Sequence, residues 1–109
     1  VPPVKVRDML EFATIVGARA CGIDDRTGSL SIGKDADIVM LRGGDLNLSP
    51  ISDPVGAIVL AAHPGNVDAV LVRGEFRKRD GKMVGVDPDA IRRAALASRD
   101  WLLAQEVAA

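Results

Sequence analysis

Two short aliphatic runs constrain this chain more than anything else in it. Asp37-Ile38-Val39-Met40-Leu41-Arg42 and Val67-Asp68-Ala69-Val70-Leu71-Val72-Arg73 are bounded by glycine or proline turns and are too short for stable helices. Both read as strands that are apolar on both faces, and such strands need cover above and below. They are expected to pair in one sheet. The cover has to be aliphatic, because aromatic residues make up only 3% of the 109 and there is no Tyr.

The rest of the chain supplies helices and turns. Val6, Met9, Leu10, Ala13, Val16 and Ala20 recur at helical spacing, which predicts a helix over 4–22. The β-branched run Thr14-Ile15-Val16 predicts a break near Thr14, with Thr14 capping a second short helix over 15–21. Gly22 fits the turn that ends it. Between Gly28 and Gly33, Leu30 and Ile32 alternate with Ser29 and Ser31, which predicts a very short strand or extended arm. Residues 45–52 read as an extended loop. Asp53-Pro54 and Asp87-Pro88 each read as an N-cap followed by proline at the first helical position. The first opens a short helix within 53–62, which His63-Pro64-Gly65-Asn66 breaks. The second opens a final helix to about Ala104, with Ile91, Ala94, Ala95, Ser98, Trp101 and Leu102 on one face. Gly74-Glu75 turns the second aliphatic strand into Phe76–Arg79, and Asp80-Gly81 is a hairpin signal leading into Lys82–Val86. The fold class is α+β.

Chemistry-bearing residues are few. Fourteen basic residues against fifteen acidic give a net charge of −1, so neither a nucleic-acid nor a membrane partner is indicated. No apolar run reaches 18 residues and no secretory leader opens the sequence. The missing initiator Met is read as a start inside a longer gene. One cysteine excludes an internal disulfide framework and fits a reducing, cytoplasmic compartment. One histidine and one cysteine are too few for a multi-His or multi-Cys metal site.

Gly28-x4-Gly33-Lys34 has phosphate-loop spacing. However, Asp35 stands where a hydroxyl should hold Mg²⁺, and a strand follows instead of a helix. It reads as turn chemistry. Asp24, Asp25, Asp35 and Asp37 read as turn aspartates, lacking the ordered ligands of a Ca²⁺ loop. His63 reads as surface or structural, and Cys21 as a small buried hydrophobe. Arg73, Arg77, Lys78, Arg79 and Lys82 read as a solvated hairpin face. No catalytic, cofactor-binding or metal-ligating residue is assigned.

The ordered motifs resemble the amidohydrolase superfamily, most of all its cytosine-deaminase-like and chlorohydrolase-like branch. Ala13-Thr14-Ile15-Val16-Gly17-Ala18-Arg19-Ala20 is similar to that family's AT-x-x-GAR-A helix. Gly28 to Val39 is similar to its G-S-L-x-x-G-K-x-A-D-I-V segment. Asp53-Pro54-Val55, Val67–Gly74 and Arg79-Asp80-Gly81-Lys82 complete the order, over residues 4 to 103.

The resemblance implies a (β/α)8 barrel carrying an H-x-H pair, two further His and an Asp around a divalent metal, Zn or Fe. None of these motifs is in this chain, and a barrel takes about 250 residues. Residues 1–23 then correspond to the last barrel-associated helix region and 24–86 to accessory β-sandwich strands with an inserted helix at 53–62. Residues 87–109 correspond to a C-terminal helix. The implied parent hydrolyses a C–N bond with metal-activated water, deaminating a heterocycle; a C–Cl bond is the lesser alternative. The implied partners are the missing barrel and N-terminal strands, or a second copy through an exposed sheet edge. Isolated, the chain is expected to self-associate. A free-standing interaction module and an anion-binding module using the 73–82 basic run are the competing readings.

Overall fold

The computed structural model describes residues 2–108. The first helical stretch is indeed broken, into α1 (Val6–Phe12) and α2 (Ile15–Ala20). The break lies at Thr14, as β-branching there suggests, but the hydroxyl does not cap α2. It donates backwards to the Leu10 carbonyl at 2.7 Å, a bond that competes with forward capping. α2 ends in a Schellman motif: Gly22 N–H donates to Arg19 O (3.0 Å) and Ile23 N–H to Ala18 O (3.0 Å).

Strand β1 (Ile38–Leu41) follows, then helix α3 (Pro54–Leu60), a 3₁₀ turn at Pro64–Asn66 and strand β2 (Val67–Val72). β3 (Glu75–Arg79) and β4 (Lys82–Met83) complete an antiparallel sheet in the order β1-β2-β3-β4. β1 and β2 pair as expected, with Val39 opposite Val70. Both hairpin loops have two residues, each at positive φ: Arg73 (51°) with Gly74 (81°), and Asp80 (50°) with Gly81 (74°). That backbone matches the twist of the flanking strands. The first loop therefore begins at Arg73, one residue earlier than Gly74-Glu75 suggests.

Of the very short strand or extended arm expected between Gly28 and Gly33, the strand does not form. No described strand pairs with it, and Leu30 and Ile32 project bare, at 82% and 108% exposure. The two-sided cover expected of β1 is also lacking, since Val39 and Met40 are exposed. Among the described residues only Ala18, Leu48, Asn66 and Ala69 are buried, and of these only Asn66 is fully so. α1 lies against α3. Helix α4 (Pro88–Ala108) runs one turn beyond the expected Ala104, and every residue from Pro88 to Glu106 is exposed. The chain exposes 8425 Å², against about 5,800 Å² for a compact protein of its mass.

Both aspartate caps are in place. Asp53 accepts from Val55 N–H at 3.1 Å, and Asp87 from Asp89 and Ala90 N–H at 2.9 and 3.1 Å. Replacing Asp53 or Asp87 by Ala is expected to lower stability by about 0.5–2 kcal/mol each, read from urea melts. Glycine at either position is expected to cost only a few tenths of that scale.

Candidate functional site

Two polar clasps hold the ends of β1. At its start, the Gly28–Asp37 segment is tied down by its own charged residues. Lys34 Nζ donates to the Asp24 and Thr27 carbonyls, closing the turn from inside. Asp37 accepts from Thr27 Oγ1 and from Arg73 N–H, both at 2.8 Å, and so fastens this turn to the β2–β3 loop. Asp35 pairs with Arg26 at 3.2 Å and with Arg73 at 3.5 Å. The lysine and both aspartates are therefore engaged with protein groups, in line with the turn chemistry that the sequence indicates.

At the far end, Asn66 is the hub. Its Nδ2 donates to Asp45 (2.7 Å) and Asn47 (2.9 Å), and its Oδ1 accepts from His63 N–H (2.9 Å) and Asn47 Nδ2 (3.0 Å). Arg42 N–H donates to Asn66 O at 2.9 Å. The Arg42 guanidinium reaches Asp45 (3.3 Å), Asp68 (3.1 Å) and the Gly65 carbonyl. In sequence, His63–Asn66 reads only as a helix breaker, and this hub is missed. Its one local signal is an Asn followed directly by an aliphatic strand.

The clasps perturb their acids. Asp37 is held below the usual carboxylate range by the Arg73 N–H and then by the Thr27 hydroxyl. Asp45 is lowered by the Asn66 amide, then by Arg42, and Arg42 is raised in turn by its two carboxylates. A carboxylate whose folded pKa is depressed stabilises the fold above its unfolded value of about 3.9, and that contribution is lost as pH falls through the folded value. Stability is thus expected to be flat from pH 7 to about 5 and to fall below about 4. Acid titration of Asp37→Asn and Asp45→Asn should show a shallower fall; an unchanged slope in both would contradict this assignment.

Between the clasps lies an open, mainly apolar concavity of about 880 Å³. Leu10, Ala13 and Ala18 line it from the helices, Ile38 and Leu41 from β1, and Ile58 from α3. Cys21 and His63 sit on its rim. Cys21 is exposed instead of buried, because it follows the last turn of α2 beside this open space. His63 is exposed and caps the 3₁₀ turn, its Nδ1 accepting from Gly65 N–H at 3.0 Å. The basic run is partly satisfied within the hairpins: Arg77 pairs with Glu75 at 3.0 Å, and Arg79 lies 4.9 Å over the Phe76 ring. Among the described residues, no helix is long and apolar enough to cross a membrane.

The model of the amidohydrolase family matches residues 2–84. A 5-methylthioadenosine/S-adenosylhomocysteine deaminase of Caldicellulosiruptor saccharolyticus is 36% identical over 81% of this chain and 20% of its own length. An S-triazine hydrolase of Gordonia rubripertincta is 42% identical over 66% of this chain and 15% of its own. Among solved structures, an adenosine deaminase from Xanthomonas campestris with bound zinc superposes on 92% of this chain and 23% of its own, with a TM-score of 0.85 and 29% identity. Atrazine chlorohydrolase TrzN from Arthrobacter aurescens, complexed with zinc, gives a TM-score of 0.76 and 25% identity over 85% of this chain and 20% of its own. The chain thus spans about a fifth of the length of these relatives.

Its own donors do not fit a zinc ion. Among the described residues no three His, Cys, Asp or Glu side chains converge, and His63 Nδ1 is already taken by a backbone N–H. With its motif segment folded as a clasped turn and its sheet superposing on these hydrolases, the chain belongs to the amidohydrolase family.

Proposed function

We propose that this chain is the C-terminal portion of a hydrolytic deaminase and that the portion itself is structural. In the parent reaction, water replaces the exocyclic amine of a heterocycle such as an adenine nucleoside, and ammonia leaves. The metal ligands and reacting groups belong to the parent's barrel, outside these 109 residues. The segment within 1–23 belongs beside that barrel, 24–86 contribute strands and the 53–62 helix to a composite β-sandwich, and α4 (Pro88–Ala108) is the terminal helix. A single cysteine is in keeping with a reducing cytoplasm for the parent.

One observation carries this reading. The chain matches a deaminase fold at a TM-score of 0.85 yet leaves 8425 Å² exposed, including the side chains of Val39 and Met40 in β1 and of Leu30 and Ile32. A patch of that kind marks a surface meant to be covered.

The test begins with the open reading frame that contains this segment. The full-length product is expected to release ammonia from 5-methylthioadenosine or adenosine, and truncation before residue 1 is expected to abolish turnover. The 109-residue chain alone should release none and should sediment as associated species. A monomeric 11.5 kDa chain with a cooperative melt, or a full-length product inert on every aminated heterocycle tried, would overturn the proposal.

A further inference from the structure

Helix α4 makes no substantial contact with any other described element, yet its two sides are unlike. At 3.6 residues per turn, Ile91, Ala94, Ala95, Ser98, Trp101 and Leu102 fall on one side with no charge among them. Asp89, Arg92, Arg93, Arg99, Asp100 and Glu106 all fall on the other. Trp101 and Leu102 are bare, at 63% and 58% exposure. The apolar side is also ordered by size. Ala94 and Ala95 make its N-terminal half small, Trp101 and Leu102 make its C-terminal half large, and Ser98 lies midway.

We infer that this side is an isologous interface: α4 pairs antiparallel with α4 of a second copy of the parent polypeptide, about a two-fold axis at Ser98.

The size order carries the inference. A two-fold contact needs a self-complementary surface. With the axis at Ser98, Trp101 meets the partner's Ala95 and Leu102 meets the partner's Ala94, each large side chain filling the space over a small one. Parallel pairing sets Trp101 against the partner's Trp101 and leaves the alanines facing a gap. Charge agrees with the antiparallel pair. On one flank Arg92 comes beside the partner's Glu106, twice, and Arg99, which meets the partner's Arg99 near the axis, is already bonded to Asp100 at 2.6 Å.

Other occupants fit less well. The three arginines of α4 balance its three acids, so nothing draws it to an anionic membrane. The family model ends at residue 84, before α4 begins, whereas an element covered by the family's common barrel belongs in the shared pattern. The zinc-bound adenosine deaminase superposes on 92% of this chain, more than residues 1–87 can supply, so part of α4 follows the same course in a much longer relative. The paired length is about 31 Å, which makes a small, reversible interface.

The inference concerns assembly and holds whatever reaction the parent catalyses. Ser98→Cys tests it in the full-length parent, in a Cys21→Ser background, with Asp100→Cys on the charged side as control. Packed helix axes lie about 8–10 Å apart and Cα atoms about 2.3 Å from each axis, so positions facing across the two-fold come within disulfide reach. Oxidised Ser98→Cys is expected to run at twice the chain mass on a non-reducing gel, and Asp100→Cys to run as a single chain. Trp101→Ala enters the interface twice and is expected to weaken the dimer by about 100-fold or more in sedimentation equilibrium, with the circular dichroism unchanged. A parent that is monomeric at every concentration overturns the inference, as does equal cross-linking at 98 and 100, or a dimer that Trp101→Ala leaves intact. A Ser98→Cys thiol that neither cross-links nor reacts with a maleimide sets α4 against the parent's own body and overturns it too.

Discussion

Asn66→Asp should unfold the loop side of the sheet at neutral pH. Asn66 is 1% exposed and uses both amide hydrogens and its oxygen. The substitution preserves shape but replaces a donor with an acceptor 2.7 Å from the Asp45 carboxylate. Two donor bonds vanish, and two carboxylates face each other in the space of one hydrogen bond. Leaving buried polar groups unsatisfied costs about 1–3 kcal/mol per group, and like charge adds to that. A loss on the order of 3 kcal/mol or more is expected at pH 7. Acidification should narrow the gap to the parent sequence, because a proton shared between the two carboxyls restores the lost donor. Asn66→Ala has no proton to regain, so its deficit should not narrow in this way. Urea melts at pH 7 and pH 5 decide it: a variant within about 1 kcal/mol of the parent sequence at pH 7 would show that the hub is dispensable.

Gly28→Ala is the second large effect. Gly28 has a φ of 87°, and a Cβ placed there would sit 2.6 Å from the Ala18 Cβ and 3.1 Å from the Ile15 Cα. The turn lies directly against α2, so the methyl strains the backbone and pushes the helix away. Left-handed strain costs about 1–2 kcal/mol and overpacking about 1–3 more. Gly33 has a nearly equal φ of 91°, but nothing lies within 4 Å of where its Cβ would be. Gly33→Ala should therefore show the strain alone. A thermal melt in which the two variants fall equally would remove close packing as the reason for glycine at 28.

The sequence is informative wherever the deciding physics is local. Proline after aspartate marks the starts of α3 and α4, because capping and a preset φ involve adjacent residues. β-branching locates the break at Thr14, and Asp80-Gly81 locates a two-residue hairpin. Misreadings arise where distant groups decide. Leu30 and Ile32 have a strand's alternation, but pairing needs a neighbour, and none is present among the described residues. The Asn66 hub joins residues 19 and 21 positions apart, and no local pattern announces such a contact. The Asp37–Arg73 bond spans 36 positions. The family motif is recognisable from Gly28–Val39 in sequence, but its purpose as a fastening between a turn and a remote hairpin loop is visible only in three dimensions.

The clasps also bear on how β1 meets whatever lies against it. A four-residue strand at a sheet margin ordinarily frays from its ends. Here Asp37 secures the approach to Ile38, and Arg42, bonded to the Asn66 carbonyl, secures the exit from Leu41. Fixing a residue's backbone removes about 1–2 kcal/mol of conformational freedom. For β1 that freedom is given up when the chain folds, so it does not oppose a later pairing. The margin is preorganised, and any segment pairing with it would have only its own disorder to lose.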